Sequence, residues 1–250
     1  QSAALASDGL ARAVNPQAGV LTPSVTRVDG QGGADVTMTV RTINPVPLTL
    51  RDLRGDRLFQ HGRTEIRGEI VMHKADFKAL NERQAAEGKP LFANPRNTAA
   101  GTIRQLDPAL VAARKLSFYG YDLLRDDISD VPTNDFAYST IRRLGLYANS
   151  RREVFTTIDS LMAFIDRWDT ARQDLPFNTD GAVIKVNDRM IFSELGIVGT
   201  APRGAVAFKY PAEEATTLVK DIVISIGRTG APPPHAPSAP VVVPGTTAHN

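Results

Sequence analysis

The fold is decided by one short stretch, DGAVIKV at residues 180–186. A carboxylate and a glycine precede an apolar, mostly β-branched run that carries one lysine, which predicts a tight turn followed by a buried strand. A second lysine, Lys209, has a similar setting within AVAFKYP at residues 205–211. Because a buried ammonium group needs a partner, two such lysines facing one space would attract an anion, for which a phosphate is the best fit. The alternative is that Lys185 and Lys209 each end a strand at the surface.

The composition is that of an ordinary globular protein. The chain has 250 residues, 42% of them hydrophobic and 22% charged, which is enough for one large domain or two smaller ones. No apolar run approaches the roughly 20 residues of a membrane span. The absence of cysteine excludes disulfides and thiolate zinc sites, and the four histidines show no metal-ligand spacing. Because the formal net charge is only +2, a surface for nucleic acid has to come from local clusters of Arg and Lys.

Hydrophobic periodicity predicts several regular elements. Alternation predicts a strand over residues 65–72, on which Glu65, Arg67 and Glu69 share one face. Residues 116–124 form a second predicted strand, rich in aromatic residues. The predicted helices run from residue 74 to about 87, from 134 to 144, and from 158 onward, with Ile158, Leu161, Ile165 and Trp168 forming the apolar stripe of the last. The Asp-Gly pair at residues 8 and 9 predicts a hairpin or strand turn.

Two arginines flank a predicted short helix that begins at Asn97 or Thr98. Arg96 and Arg104 lie eight residues apart. Because positions i and i+7 or i+8 are two helical turns apart, both guanidinium groups would lie along one face and grip neighbouring phosphates of a nucleotide or a nucleic acid. A solvated helix face is the alternative.

The composition changes near the end of the chain. Residues beyond Arg228 include six prolines and no formally charged side chain, so they cannot form a domain of their own. We therefore predict a first domain over residues 1–214 and the incomplete start of a second domain over residues 215–250.

Several motifs occur together as they do in one enzyme family. They are EIRGE at 65–69, FANPRN at 92–97 running on to RQLD at 104–107, DGAVIK at 180–185 and FKYPAEE at 208–214. Together they resemble the adenylation domain of bacterial NAD-dependent DNA ligases, from about Ala4 to the end of the chain. The resemblance implies an α+β nucleotidyltransferase fold of antiparallel sheets flanked by helices, followed by an OB-fold. GRTG at 227–230 resembles the beginning of that OB-fold.

The resemblance also implies roles for individual residues. Glu69 would contact the ribose of AMP, and Lys185 and Lys209 would contact the nucleotide and its phosphate. Asp8 belongs to the catalytic motif. The arginines that would contact the nucleotide or the nicked DNA are Arg27, Arg96, Arg104, Arg172 and Arg228.

The chemistry of this family requires positive charge around a phosphoryl group. A lysine amine attacks the α-phosphorus of NAD, and nicotinamide mononucleotide leaves. The AMP passes to the 5′-phosphate of a nick, and the 3′-hydroxyl then displaces AMP and seals the strand. Because each step spreads negative charge over phosphoryl oxygens, lysines, arginines and Mg²⁺ are the expected stabilisers. The resemblance thus implies two ligands, NAD through its AMP moiety and Mg²⁺, and nicked duplex DNA as the partner. It also implies a monomer that is cytoplasmic, associated with the nucleoid and without membrane contact.

The sequence departs from the family at the position of the nucleophile. The family motif is Lys-x-Asp-Gly, and the matching place is ASDG at residues 6–9, so Ala6 stands where the lysine is expected. A methyl group cannot form a phosphoramidate, and loss of a covalent nucleophile typically removes several orders of magnitude of rate. The other departures are Ala4 for a glutamate near the adenine, Val28 and Ala34 within a glycine-rich loop, and Gly204 for a tryptophan.

The leading hypothesis is a truncated adenylation domain that keeps an AMP pocket but cannot adenylate itself. The family's preceding helical domain and its following zinc, helix-hairpin-helix and BRCT modules are expected to be absent. Three alternatives are open: the sealing of nicks that already carry AMP, a module that recognises nicks or adenine nucleotides without chemistry, and a decayed gene fragment.

Overall fold

A computed structural model describes most of the chain. The described residues are 1–8, 10–17, 20–22, 43, 46–47, 50–51, 58–105, 108–199, 201–211, 216–221, 223–224, 234–235, 241–243 and 246–248. Arg27, Val28, Ala34 and Arg228 lie outside them, so the expectations on these residues are not addressed. Among the described helices none is long and apolar enough to cross a membrane.

The described part contains both strands and helices. The strands are β1 Ser2–Ser7, β2 Leu10–Gln17, β3 Val20–Thr22, β4 Thr64–Met72, β5 Leu116–Arg125, β6 Tyr147–Ala148, β7 Arg152–Val154, β8 Thr179–Lys185, β9 Ile197–Val198, β10 Ala201–Pro202, β11 Ala205–Lys209, β12 Val223–Ile224, β13 Pro234–His235, β14 Val241–Val243 and β15 Thr246–Ala248. The α-helices are α1 Lys74–Ala86, α2 Pro95–Ile103, α3 Pro108–Ala113, α4 Asn134–Arg143, α5 Ile158–Ala171 and α6 Arg189–Leu195. Short 3-10 helices lie at Leu58–Gln60, Ile128–Asp130 and Arg172–Asp174.

Two sheets organise these elements. The large sheet has the order β3-β2-β4-β5-β6, and the small sheet has the order β11-β8-β1-β7. All neighbouring strands in them are antiparallel except β5 and β6, which are parallel. This mixture of antiparallel strands and helices is the α+β architecture expected from the sequence.

The helix predictions hold, with two corrections. Helix α2 begins at Pro95, two residues before the predicted start, because the Asn94 side chain accepts a hydrogen bond from the backbone N–H of Asn97 at 2.7 Å and proline fits the first helical position. The buried stripe of α5 contains Phe164 in place of Ile158, which is 60% exposed in the first turn.

The Asp-Gly pair of the deciding stretch is not a turn. Asp180 and Gly181 lie within β8, and Gly181 is paired with Lys209 of β11. An added Cβ at Gly181 would lie 2.3 Å from the carbonyl oxygen of Phe208. The glycine therefore allows two backbones to approach closely within a sheet, which is a role that sequence alone cannot distinguish from a turn.

Asp8 also does not lead into a hairpin. Strand β1 belongs to the small sheet and β2 to the large sheet, because β1 finds its partners in β7 and β8. The chain returns to the small sheet through residues 149–151, between β6 and β7. These two crossings lie side by side. The Asn149 side-chain amide donates to the carbonyl oxygen of Leu5 at 2.6 Å, and the backbone N–H of Leu5 donates to the carbonyl oxygen of Arg151.

Each sheet has its own hydrophobic core. In the large sheet, Ile66, Ile70 and Phe118 are fully buried and pack with Ile103 of α2 and Ile141 of α4. In the small sheet the buried side chains of one face pack against α5; they are Ala3, Leu5 and Ala182, with Leu161, Phe164 and Ile165 of the helix. The opposite face of the small sheet lies toward the large sheet, whose core cluster includes Ala4 of β1.

The predicted second domain falls mostly on residues outside the described part. Beyond residue 214 the structure describes residues 216–221 and the strand pairs β12–β13 and β14–β15. The division at residue 214 and the OB-fold stay predictions.

Candidate functional site

The face of the small sheet opposite α5 carries both lysines of the sequence prediction. Cross-strand partners share a face, and one row of partners is Ala6, Gly181 and Lys209. Lys185 lies four residues from Gly181 and therefore points to the same side as Lys209. We call this side, which includes Ala4, Ala6, Val183, Lys185 and Lys209, the cleft face.

The two lysines stand at opposite ends of the cleft face. Four residues of strand separate their rows, which corresponds to about 13 Å between backbone positions. Lys185 is partly buried, whereas Lys209 is exposed. They therefore suit two parts of one elongated ligand better than a single phosphate.

A bulge in the large sheet brings two side chains toward Lys185. Arg67 pairs with Asp122 and the next residue, Gly68, pairs with Gly120, so Tyr121 is an extra residue on β5. Such a bulge re-aims side chains and brings neighbours to one side of a strand. The Lys185 ammonium lies 5.9 Å from the centre of the Tyr121 ring, and Asp122 lines the same cavity as Lys185. Sequence reasoning missed Asp122, because a bulge leaves no signal in the alternation of residues.

Burial dominates the electrostatics of Lys185. Desolvation lowers the pKa of its ammonium group, the negative charge of Asp122 opposes this effect, and the positive charges of Arg189 and Arg67 add to it. Lys185 therefore loses its proton more easily than an exposed lysine. Arg189, which sequence reasoning also missed, is bound to Asp122 and to the carbonyl oxygen of Leu123.

A cavity of about 600 Å³ adjoins Lys185. Its walls combine Asp122, Asn134, Lys185 and Arg189 with apolar side chains, among them Leu124, Ile128, Val131, Phe192 and Ile197. At the nearby Gly204, an added Cβ would lie 2.5 Å from the ring of Phe192. Phe192 occupies the space into which a larger side chain at position 204 would extend.

The other end of the cleft face is built from small residues. Ala6 is partly buried, and its carbonyl oxygen accepts a hydrogen bond from the Thr179 hydroxyl. Next to it, Asp8 forms an ion pair with Arg96 at 2.8 Å, in which the Arg96 side chain is 58% exposed. The structure thus brings Arg96 to Asp8, two residues from Ala6.

The remaining predicted residues are more dispersed. Arg172 donates to the carbonyl oxygen of Thr179 at 3.1 Å and stacks on the ring of Tyr210 at 4.8 Å, so it supports the start of β8. Arg104 is exposed at the end of α2. Glu69 is partly buried on β4, where it pairs with Ala11 and Tyr119.

On β4, Glu65 and Arg67, which the sequence places on one face, belong to an ion-pair network. Glu65, whose side chain is 10% exposed, accepts hydrogen bonds from Arg67 at 2.7 Å and Arg63 at 2.9 Å. Burial alone would raise the pKa of Glu65, but the hydrogen bonds and positive charges of the two arginines outweigh it and the pKa is lowered. Arg67 thereby links Glu65 to the surroundings of Lys185.

A metal site made by protein groups alone is not part of this arrangement. Among the described residues, no cluster of three or more His, Cys, Asp or Glu side chains could hold an ion. Mg²⁺ commonly binds through one or two carboxylates together with substrate phosphates, so the cleft face does not need such a cluster for a phosphate-bound ion.

Comparison with known proteins gives one consistent result. The family model described as NAD-dependent DNA ligase adenylation domain matches residues 3–213. A DNA ligase of Koribacter versatilis is 41% identical over 240 residues, and one of Halothermothrix orenii is 44% identical over 240 residues. Both alignments cover 96% of this chain but only 36% and 34% of those proteins. One solved structure, the ATP-dependent DNA ligase of bacteriophage T7 in complex with ATP, matches at 14% identity with a TM-score of 0.39 over 94% of this chain and 74% of that one.

The chain therefore spans about a third of the length of the curated relatives that it matches. The family match covers residues of both sheets, including Ala6, Lys185 and Lys209. The chain belongs to the NAD-dependent DNA ligase adenylation-domain family.

Proposed function

We propose that this chain binds the adenylate part of NAD on the cleft face but does not become adenylated itself. One observation carries the proposal: Ala6, Gly181 and Lys209 form a single row across the small sheet. We take residue 6 to be the position of the family's nucleophile, and its side chain here is a methyl group. Without an amine at this position no phosphoramidate can form there.

The geometry supports an extended orientation of the nucleotide. At one end, the Tyr121 ring and the partly buried Lys185 offer a face for stacking and a donor for a base nitrogen. At the other end, the exposed Lys209 stands beside Ala6 and offers a positive charge for the phosphate. The separation of about 13 Å between the two rows suits a mononucleotide laid along β8.

The ligands and partners of the family follow as parts of the same proposal. Nicked duplex DNA would meet the exposed arginines Arg96 and Arg104 near the phosphate end. Mg²⁺ would accompany the phosphates, since carboxylates such as Asp8 lie beside the row of Ala6. A monomer in the cytoplasm is the corresponding cellular setting.

The test is intact-mass spectrometry of the purified protein after incubation with NAD and Mg²⁺. The native chain should keep its mass, and Ala6→Lys should gain the mass of one AMP group. Ser7→Lys is the matched control, because it adds a lysine to β1 one residue away at a partly buried position, and it should stay unmodified. An AMP adduct on the native chain would overturn the proposal, and an unmodified A6K variant would show that residue 6 is not the limiting defect.

Sealing of a nick that already carries AMP is the second candidate function. That step needs positive charge at the phosphoryl group but no covalent lysine, and Lys209 and Arg96 supply such charge at the Ala6 end. A pre-adenylated nick incubated with the native chain and Mg²⁺ should then be sealed, and Lys209→Met should abolish the sealing. An open nick after incubation would leave nucleotide or nick binding without chemistry as the function.

A further inference from the structure

The bulge in β5 places an acid close to the base-binding end of the cleft face. Asp122 and Lys185 line one cavity, and the side chain of Asp122 is only 18% exposed. A carboxylate in such surroundings is a strong partner for an ammonium group. If Asp122 bound Lys185 directly, it would take up at least one of the three N–H donors of the ammonium group and offset its charge, both of which the nucleotide needs.

Arg189 prevents this by holding Asp122. One guanidinium nitrogen of Arg189 donates to Asp122, and the other donates to the carbonyl oxygen of Leu123 at 2.7 Å. The Arg189 side chain is itself 11% exposed. Its place is fixed by Asp188, which caps α6 through the backbone N–H of Ile191 at 3.0 Å.

Charges from three elements meet at Lys185. They are Asp122 on β5, Arg67 on β4 and Arg189 on α6, with the Tyr121 ring alongside. Arg67 is engaged by Glu65. The hydrogen bond from Arg189 to Asp122 therefore determines how strongly the negative charge of Asp122 acts on Lys185.

We propose that Arg189 is a positioning residue that keeps Asp122 away from Lys185 and so leaves the ammonium group available to an adenine nucleotide. The inference rests on the proposed nucleotide site, because Lys185 has to be available only if it binds that ligand. Neither Asp122 nor Arg189 belongs to the motifs that carry the family resemblance.

The first test is a double-mutant cycle with AMP as the probe, measured by isothermal titration calorimetry on the full chain. Arg189→Gln should weaken AMP binding roughly tenfold, because the released Asp122 competes for a charge-assisted hydrogen bond. The double variant D122N/R189Q should regain most of the lost affinity, because the competing charge is gone. A double variant as weak as R189Q, or weaker, would mean that Arg189 acts only through packing and would overturn the proposal.

The second test measures Lys185 without any ligand. The measurement is an NMR pH titration of ¹³C-lysine-labelled protein, in which the Lys185 signal is assigned by its loss in Lys185→Met. R189Q should raise the pH midpoint of that signal above the native value. D122N/R189Q should have a lower midpoint than R189Q. An unchanged or lowered midpoint in R189Q would overturn the proposal. If the native chain fails to bind AMP but the midpoints move as expected, the proposed function fails while the role of Arg189 stands.

A conservative variant guards against loss of folding. Arg189→Lys keeps the charge but not the forked pair of donors, so it should change both readings in the same direction as R189Q and by a smaller amount. Circular dichroism of each variant identifies those that fold. If R189K and R189Q both fold and both keep the native midpoint and the native AMP affinity, the proposal is overturned.

Discussion

The two ends of the cleft face are built in opposite ways. Around Lys185, charges and an aromatic ring from the large sheet and α6 crowd a partly buried amine. Around Ala6, the side chains are small, Lys209 is exposed, and the nearby ion pair of Asp8 and Arg96 is open to solvent. The Lys185 end thus depends on tertiary packing from several elements. The Ala6 end depends on the backbone of one sheet row and on the identity of one side chain.

The strongest way to break the Ala6 end is to disturb that row at its centre. Gly181→Ala would place a Cβ 2.3 Å from the carbonyl oxygen of Phe208, and backbone cannot move aside as a flexible side chain can. We expect a loss of about 3 kcal/mol in the free energy of unfolding, measured by urea denaturation.

Gly101→Ala is the matched control for this substitution. Gly101 lies inside α2, and an added Cβ there would meet nothing within 4 Å. Because alanine is the better helix former, this variant should gain up to about 1 kcal/mol. Equal effects of the two substitutions would refute the importance of close approach at Gly181.

The second prediction separates the two lysines by their response to pH. Lys185→Met should weaken AMP binding about tenfold or more, because a partly buried donor is lost, whereas Lys209→Met should cost only a few-fold, because an exposed charge is screened by water. In the native chain, AMP affinity should fall as pH rises through the lowered pKa of Lys185, which lies below the ordinary value of 10.5.

The measurement is calorimetric titration with AMP across the alkaline range. K185M should abolish the decline in affinity below the ordinary lysine pKa, and K209M should preserve it. An unchanged pH profile in K185M would show that another group causes the decline.

The smallest expected effect is on stability, and it distinguishes the largely buried carboxylate Glu65 from the more exposed ion pair of Asp8 and Arg96. Hydrogen bonds from Arg67 and Arg63 lower the pKa of Glu65 against the effect of burial, so its contribution to stability is present above the pKa of the unfolded chain. That contribution is lost as pH falls through the folded pKa. Glu65→Gln should therefore destabilise the protein by about 1–2 kcal/mol near pH 7 and by little in strong acid.

Asp8→Asn provides the comparison at the open end. The Asp8–Arg96 pair has an exposed arginine, and such pairs contribute about 0–1 kcal/mol. Thermal melting of both variants across pH tests the difference. A larger loss in D8N than in E65Q at neutral pH would reverse the proposed contrast between the two ends.

The sequence predicts the elements of this fold better than it predicts their assembly. Periodicity gave α1, α4 and α5, β4 and β5 close to their observed bounds, because these elements bury one regular face. The Asp180–Gly181 pair was wrong as a turn, since a glycine within a sheet has the same local sequence as a glycine in a turn. The hairpin at Asp8 was wrong because β1 and β2 belong to different sheets. The strand positions of Lys185 and Lys209 could be predicted from their apolar surroundings. Lys209 is exposed at the end of β11, which agrees with the alternative of a strand end at the surface, whereas Lys185 is partly buried.

Asp122 and Arg189 could not be predicted in the same way. Asp122 faces the site only because one extra residue in β5 shifts the register against β4, and Arg189 reaches it from an element 67 residues further along the chain. A contact of this kind depends on the packing of separate elements, about which the local sequence carries no information.

The two crossings beside Leu5 have a mechanical consequence. Because the chain passes between the sheets after Ser7 of β1 and again through residues 149–151, covalent bonds join the two sheets next to Ala6. At the Lys185 end the joining contacts are noncovalent. They include side-chain hydrogen bonds from Arg189 to Leu123 and from Asn134 to Val186 and backbone hydrogen bonds from Asn134 to Asn187 and from Arg189 to Pro132. Any separation of the two sheets would have to break these hydrogen bonds first, whereas the row of Ala6 would keep its covalent connections.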